Sequence, residues 1–394
     1  MKYSVHRSLD ELYKEESNRE DICTNIEPVF EKVDAAICIV SSNEYTPFAS
    51  VVIQSIIENV DQNKYYDIVV FTDDMYIYNR VRLEKQAYKL PNVSIRVMDI
   101  SKIIEDMDFY TWAQFTPNTY YRLLAPDLFC NYEKVIYLDS DIVVNHDIAD
   151  LYSIDLEDYY MAAAYDTHVV AYCTQNPPLE QREYNMQTLK MKSPEKYFQA
   201  GIALYNVKLL NETFEKGYLI NEATKVKLKW LDQDLVNMLF QDKIKRLPNR
   251  WNVMIANVPH ATDEYYLPAD LRKEYYEARL DPYIIHYVGK AIPCFAEEPD
   301  LFEYFWIYAR KTCFYEVLLQ KMCRKNAEYE IMPHIHELYK KCNCIDNTYI
   351  TKKSKIKAII KRIVMMIVNV ILPKGSKIRY SFKMKYFRLR GWDI

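Results

Sequence analysis

Glycine is nearly missing, with five residues in a chain of 394. So few glycines build neither a G-x-G-x-x-G turn nor a P-loop, which excludes the usual backbone cradles for phosphate. Any diphosphate bound here has to be held by basic side chains and a metal ion. Cysteine is equally uninformative as a framework: there are nine, an odd number, and Cys342 and Cys344 form only an isolated C-x-C. Reduced thiols are expected rather than zinc sites or disulfides. The opening stretch "MKYSVHRSLDELYKEESNRE" has no apolar core of the export-signal kind, so a cytosolic location is expected. No strong charge of one sign marks the whole chain, whose net charge is −4. That balance hides a division. From residue 351 onward there are thirteen Lys or Arg against Asp393 alone, leaving 38 basic and 54 acidic residues in the first 350. An acidic body with a basic tail points to an anionic surface as a partner.

What the chain does contain is enough apolar material for a large core: half of its residues are hydrophobic, and Tyr alone occurs 36 times. Short, unbroken, β-branched runs recur at "AAICIV", "YDIVVFTDD", "VSIRVMDI" and "VIYLDSDIVV". Runs of this kind read as strands buried on both faces. A polar break "SSNEYTP" and a helical pattern through Val51, Ser55, Ile56 and Val60 separate the first two. This β-loop-α alternation over the first 145 residues predicts an α/β fold with a parallel-rich sheet and ligands beyond the strands' carboxyl ends. "NTYYRLLAPDLF" reads as a short helix interrupted at Pro126, and "YMAAAYD" as a further strand. The polar stretch 167–196 reads as loops, "YFQAGIALYNV" as a strand entered through Gly201, "LDQDLVNMLF" as a helix start, and "YIIHYVG" as a strand carrying His286. Gly201 inside a strand implies a close approach that tolerates no side chain.

The carboxylates Asp139 and Asp141 stand two apart at the end of an apolar strand. In an extended segment both point the same way, and two such charges repel unless a cation lies between them. A pair of hard oxygen ligands suits magnesium or manganese. D-x-D also arises by chance, with one acid ending a strand and the other solvated. Asp232 near a helix N-terminus has an ordinary dipole role, and an isolated His286 reads as a satisfied core histidine.

Taken together, five segments resemble glycosyltransferase family eight, the retaining group that includes bacterial lipopolysaccharide galactosyl- and glucosyltransferases and, more distantly, glycogenin. They are "SSNEYTPFASVVIQSI", "TYYRLLAPDL", "VIYLDSDIVV", "YFQAGIALYNV" with "LDQDLVN", and "HYVGKAIP", spanning about Ala35 to Pro293 in the family's order. The resemblance implies a GT-A, Rossmann-like fold with a mainly helical C-terminal extension. It implies that Asp139, Asp141 and His286 bind Mn2+ (or Mg2+) together with a UDP-sugar, with Ser140 between the aspartates. It further implies that Ser42, Glu44 and Tyr45 line the nucleotide loop, that Arg122 pairs with donor oxygens, and that Gln199, Ala200, Gly201, Gly289 and Lys290 complete the donor site. Asp232 and Gln233 then lie beside the reacting sugar as the catalytic pair. Gln233 is a poor nucleophile, which favours front-face reaction over a covalent intermediate. Departures fall in the last motif, where Ile292 and Cys294 replace the family's usual Lys and Trp, with Lys290 two residues earlier. Gln199 and Ser42 likewise replace an Asn and an acid.

The expected organisation is an N-terminal polar extension over 1–32, the glycosyltransferase domain over 33–295, a helical region over 296–350, and a basic amphipathic tail over 351–394. The expected acceptor is a glycan, a glycolipid or a glycoprotein. The apolar run Ile363 to Leu372 is too short to span a bilayer, yet it is flanked by Lys357, Lys361 and Arg362 and followed by aromatics among basic residues. An anchor on the anionic inner face of the cell membrane is therefore expected, and nucleic acid is not. Two other readings of the D-x-D strand are a haloacid-dehalogenase-like phosphatase with Asp139 as nucleophile, and a catalytically idle sugar-nucleotide binder.

Overall fold

The apolar runs become strands of a seven-stranded sheet. In this computed structural model the described residues are 25–113, 115–175, 180–256, 266–296 and 300–324. Strands β1 (Ala35–Val40), β2 (Tyr66–Thr72), β3 (Val93–Asp99) and β4 (Lys134–Leu138) run parallel, as the β-loop-α alternation requires. Helix α1 (Thr46–Glu58) connects the first two and α2 (Ile77–Glu84) leads toward the third. After β4 the chain leaves the large sheet. Strand β5 (Ile142–Val144) pairs with β10 (Ile284–Val288), which also pairs with β9 (Val253–Ala256), and these three form a small second sheet. Strand β7 (Phe198–Asn206) returns antiparallel between β4 and β6 (Met161–Tyr165), and β8 (Ile244–Arg246) closes the edge parallel to β6.

Both faces of the large sheet are covered. Ala36, Cys38 and Val40 point into one core cluster, and Ala35, Ile37 and Ile39 into another, so β1 is buried throughout. A third apolar cluster joins the small sheet to C-terminal helices: Phe48, Val143 and Ile285 meet Phe305 and Trp306 of a helix over Phe302–Ala309, and Leu318 of a helical stretch over 315–324. Burying each such aromatic contributes about 1.5–3 kcal/mol, so residues 300–324 are integral to the sheet's packing.

Three local expectations change. The stretch 167–196 is not loop alone: it holds helices α3 (Thr167–Thr174) and α4 (Glu180–Gln187). Asp166 caps α3 by accepting from the N–H groups of His168 and Val169, which offsets the low helix propensity of its β-branched residues. Pro126 does not interrupt a helix; a 3₁₀ stretch over Pro117–Leu124 ends first, and Pro126 sits in the opening turn of Ala125–Leu128, where its missing N–H is harmless. Asp139 and Asp141 lie in a turn between β4 and β5 rather than in an extended segment. Residues 1–24 of the expected 1–32 extension, residues 325–350 of the expected 296–350 helical region and the whole tail 351–394 lie outside the described residues.

Candidate active site

The end of β4 delivers Asp139, and the start of β5 delivers Asp141. Pairing of β5 with β10 sets His286 opposite Ile142, and the Tyr287 N–H donates to the Asp141 carbonyl at 2.9 Å. Ligand atoms of Asp139, Asp141 and His286 consequently lie within 4.8 Å of one another. His286 Nε2 is 3.2 Å from Asp141 Oδ1 and 3.7 Å from Asp139 Oδ2. Burial opposes a charge on this imidazole, but the two carboxylates outweigh it and raise its pKa above the ordinary value.

A chain of hydrogen bonds sets which ring nitrogen faces the acids. The Gly201 N–H donates to Gln199 Oε1 at 2.7 Å, so that atom is an acceptor. Asn252 Nδ2 donates to the same oxygen at 2.8 Å, which turns Asn252 Oδ1 toward His286 Nδ1 at 3.3 Å. Nδ1 is thereby directed to an acceptor, and Nε2 is the nitrogen that faces the aspartates, the orientation a metal ligand needs once Nε2 gives up its proton. Gly201 itself leaves the room: a β-carbon there would stand 2.4 Å from Asp139 Oδ2 and 2.5 Å from His286 Cε1. The close approach expected at this glycine is made by side chains, not by backbone. Two carboxylates and one imidazole, oriented by an outer amide, fit a manganese-type ion.

Arg122 is buried between two of the acids. Its Nη2 lies 3.1 Å from Asp139 Oδ1 and its Nε 2.8 Å from Asp232 Oδ2, while the guanidinium sits 4.6 Å over the Tyr137 ring. The Nε–H itself is aimed at the Thr119 carbonyl, 3.1 Å away, so the contact with Asp232 is one of charge rather than an aligned hydrogen bond. Tyr137 Oη donates to Asp139 Oδ1 at 2.7 Å. Burial pushes the Asp232 carboxyl up to about 7 against the lowering pull of Arg122.

Asp232 and Gln233 open helix α5 (Leu231–Phe240), whose first residue, Leu231, takes a left-handed φ of 51°. Asp234 holds this start in place, accepting from the Trp230 N–H at 2.7 Å, Tyr184 Oη at 2.7 Å and Tyr197 Oη at 2.6 Å. The Gln233 carboxamide is committed at both ends: Oε1 accepts from the Ala200 N–H at 3.1 Å, and Nε2 donates to Asp166 Oδ2 at 3.0 Å.

Of the other residues expected in the donor site, Ser140 Oγ donates to the Val40 carbonyl at 2.5 Å, tying the aspartate turn to the last residue of β1. Ser42 Oγ accepts from the Tyr45 N–H at 3.3 Å, and Glu44 and Tyr45 are exposed. Gln199 and Ala200 are buried and engaged as described. Gly289 begins a 3₁₀ turn with φ 64°, and the side chain of Lys290 in that turn lies outside the described residues. Ile292 and Cys294 are buried in the apolar cluster with Phe48. Sequence reasoning missed Asn252 and Asp166. Asp166 carried a signal, an acid ending the apolar strand "YMAAAY"; Asn252 carried none, because its partners lie 34 and 53 residues away.

Residues 36–293, more than half of the chain, match the family model described as glycosyl transferase family 8. A Haemophilus influenzae protein bearing a glycosyltransferase name is 28% identical over 220 residues, covering 54% of this chain and 61% of that protein. Lipopolysaccharide 1,2-glucosyltransferase of Escherichia coli is 28% identical over 262 residues, covering 63% of this chain and 70% of that one. Among solved structures, the apo form of the bifunctional glycosyltransferase WbbM superposes with a TM-score of 0.68 at 31% identity, over 75% of this chain and 53% of that chain. The chain thus spans less than two-thirds of the first of these proteins and about half of WbbM. The architecture is the α/β GT-A type expected from the sequence.

Proposed function

The chain belongs to glycosyltransferase family 8, and on that premise we propose that it transfers a hexose from a UDP-sugar to a glycan or lipid-linked acceptor, with retention of configuration and dependence on a divalent ion. The observation that carries this reading is the convergence of Asp139, Asp141 and His286, with His286 Nδ1 turned to Asn252 and Nε2 to the aspartates. An ion held there would neutralise charge developing on the diphosphate leaving group. Manganese is favoured over magnesium by the imidazole in the donor set.

In this reading Arg122 orients donor oxygens from its position against Asp139, a task suited to its rigid fork of donors. Gln233 cannot serve as a nucleophile with its amide locked between Ala200 and Asp166, and Asp232 is buried against Arg122. Front-face reaction follows: the bond from the anomeric carbon to the diphosphate oxygen breaks with its electron pair on that oxygen. The acceptor oxygen bonds to the same face, and the acceptor hydroxyl proton passes to the departing diphosphate. Orientation supplies much of the rate. An aromatic rim beside α5 supports a sugar acceptor: Trp112, whose Nε1 donates to the Lys229 carbonyl at 2.9 Å, lies 5.5 Å from Phe115 and 6.4 Å from Trp230 between ring centroids. Such rings offer apolar faces to pyranoses while the Trp112 N–H stays bonded. A phosphatase role for Asp139 is not favoured, since Tyr137 and Arg122 occupy its Oδ1.

Titration calorimetry with UDP in the presence and absence of Mn2+, followed by a screen of UDP-sugars for transfer and hydrolysis, tests the proposal. Manganese-dependent UDP binding with sugar release is expected, and both are lost in Asp139→Asn and Asp141→Asn while the melting temperature is kept. Full activity of either variant in chelator-treated buffer overturns the metal role. Binding without release marks an idle sugar-nucleotide binder.

A further inference from the structure

The loop 41–45 leaves the carboxyl end of β1, and the turn holding Asp139 and Asp141 leaves the carboxyl end of its parallel neighbour β4. Ser140 bonds the turn to Val40, so the two segments share one rim. Onto this rim reaches a cation from beyond the region that matches the family model. Lys321, in the helical stretch 315–324, places Nζ 3.5 Å from Glu44 Oε1 and 5.7 Å from the centroid of the Phe48 ring. Its side chain is only 21% exposed, whereas that of Glu44 is 78% exposed. The lysine is held and the acid is loose. A long ion pair to so exposed a carboxylate contributes little, and the helix is fixed instead by Leu318 packing in the cluster with Phe48, Ile292 and Cys294.

Charge accounting gives this ammonium a purpose. A divalent ion is balanced by Asp139 and Asp141, and Arg122 is shared between Asp139 and Asp232. A nucleoside diphosphate adds at least about two negative charges, more than Arg122 offsets by itself. Among the described side chains of the segment following His286, Ile292 and Cys294 supply no charge, both being buried and apolar, and the side chain of Lys290 lies outside the described residues. Resting on the donor reading above, we propose that Lys321 is a donor-binding residue that exchanges Glu44 for the diphosphate of the nucleotide. Its flexible four-carbon stem lets the ammonium turn from one anion to the other without moving the helix.

The test uses the full chain as wild type, Lys321→Met and Lys321→Arg. UDP affinity with Mn2+ is measured by calorimetry and uridine binding by ligand-observed NMR. Lys321→Met, which keeps the stem on Phe48, is expected to keep the melting temperature and bind UDP about tenfold more weakly, with uridine unaffected. Lys321→Arg should retain most of the affinity. Equal UDP affinity in wild type and Lys321→Met overturns the assignment alone, as does an equal loss for UDP and uridine, which would mark a loop disturbance. A wild type that binds no UDP overturns the donor reading and this proposal with it.

Discussion

Gly201 lies so close beneath Asp139 that a β-carbon at this position would stand 2.4 Å from Oδ2. The same carbon would meet His286, so a methyl group here displaces two of the three expected metal ligands at once. Gly201→Ala is predicted to weaken manganese-dependent UDP binding by more than about tenfold while costing about 1–3 kcal/mol of stability. Calorimetry and thermal melts of the same sample check it. Unchanged manganese dependence would show that the triad does not hold the ion.

Asn252 never touches the aspartates, yet it orients the ring that does. Replacing it with Ala removes the acceptor for Nδ1–H and leaves Gln199 short of a donor. Manganese affinity should fall by about 10–100-fold, the usual effect of losing an orienting partner, and the pH at which the ion is released should move. A variant that binds manganese as wild type does would mean the tautomer is set elsewhere.

Asp232 predicts a pH dependence. Its carboxyl is raised by burial to about 7 in the folded protein against roughly 3.9 when unfolded. Between these values the folded form holds the extra proton, so stability falls as pH rises through this window and the loss is complete above it. The metal-free wild type should therefore lose on the order of a few kcal/mol from pH 4 to pH 8 through this group. Asp232→Asn should melt with a flatter pH profile. Parallel profiles for the two proteins would show that the carboxyl titrates normally.

The basic tail 351–394 is proposed to hold the enzyme on an anionic membrane surface. Deleting residues 355–394 should release the protein from vesicles containing phosphatidylglycerol while donor hydrolysis is kept. Flotation of the truncated form with such vesicles at low salt would refute the anchor.

Local chemistry made the strands legible. Runs such as "AAICIV" and "VIYL" carry no polar residue to turn outward, so they had to be buried, and the observed β1 and β4 are. Asp139 and Asp141 were legible for a related reason: two residues apart, they stay neighbours in a turn as well as in a strand. The GT-A architecture and the family followed from the order of five short segments. Tertiary structure decided the rest, because it depends on contacts that no local pattern encodes. His286 meets Asp141 only through the pairing of β10 with β5, across more than a hundred residues. Helix α3 was hidden by β-branched residues and exists through its Asp166 cap, the same carboxylate that receives Gln233. Asn252, Gln199 and Gly201 act as a unit because hydrogen bonds are directional and each orients the next, and that direction is settled only when β7, β9 and β10 are in place.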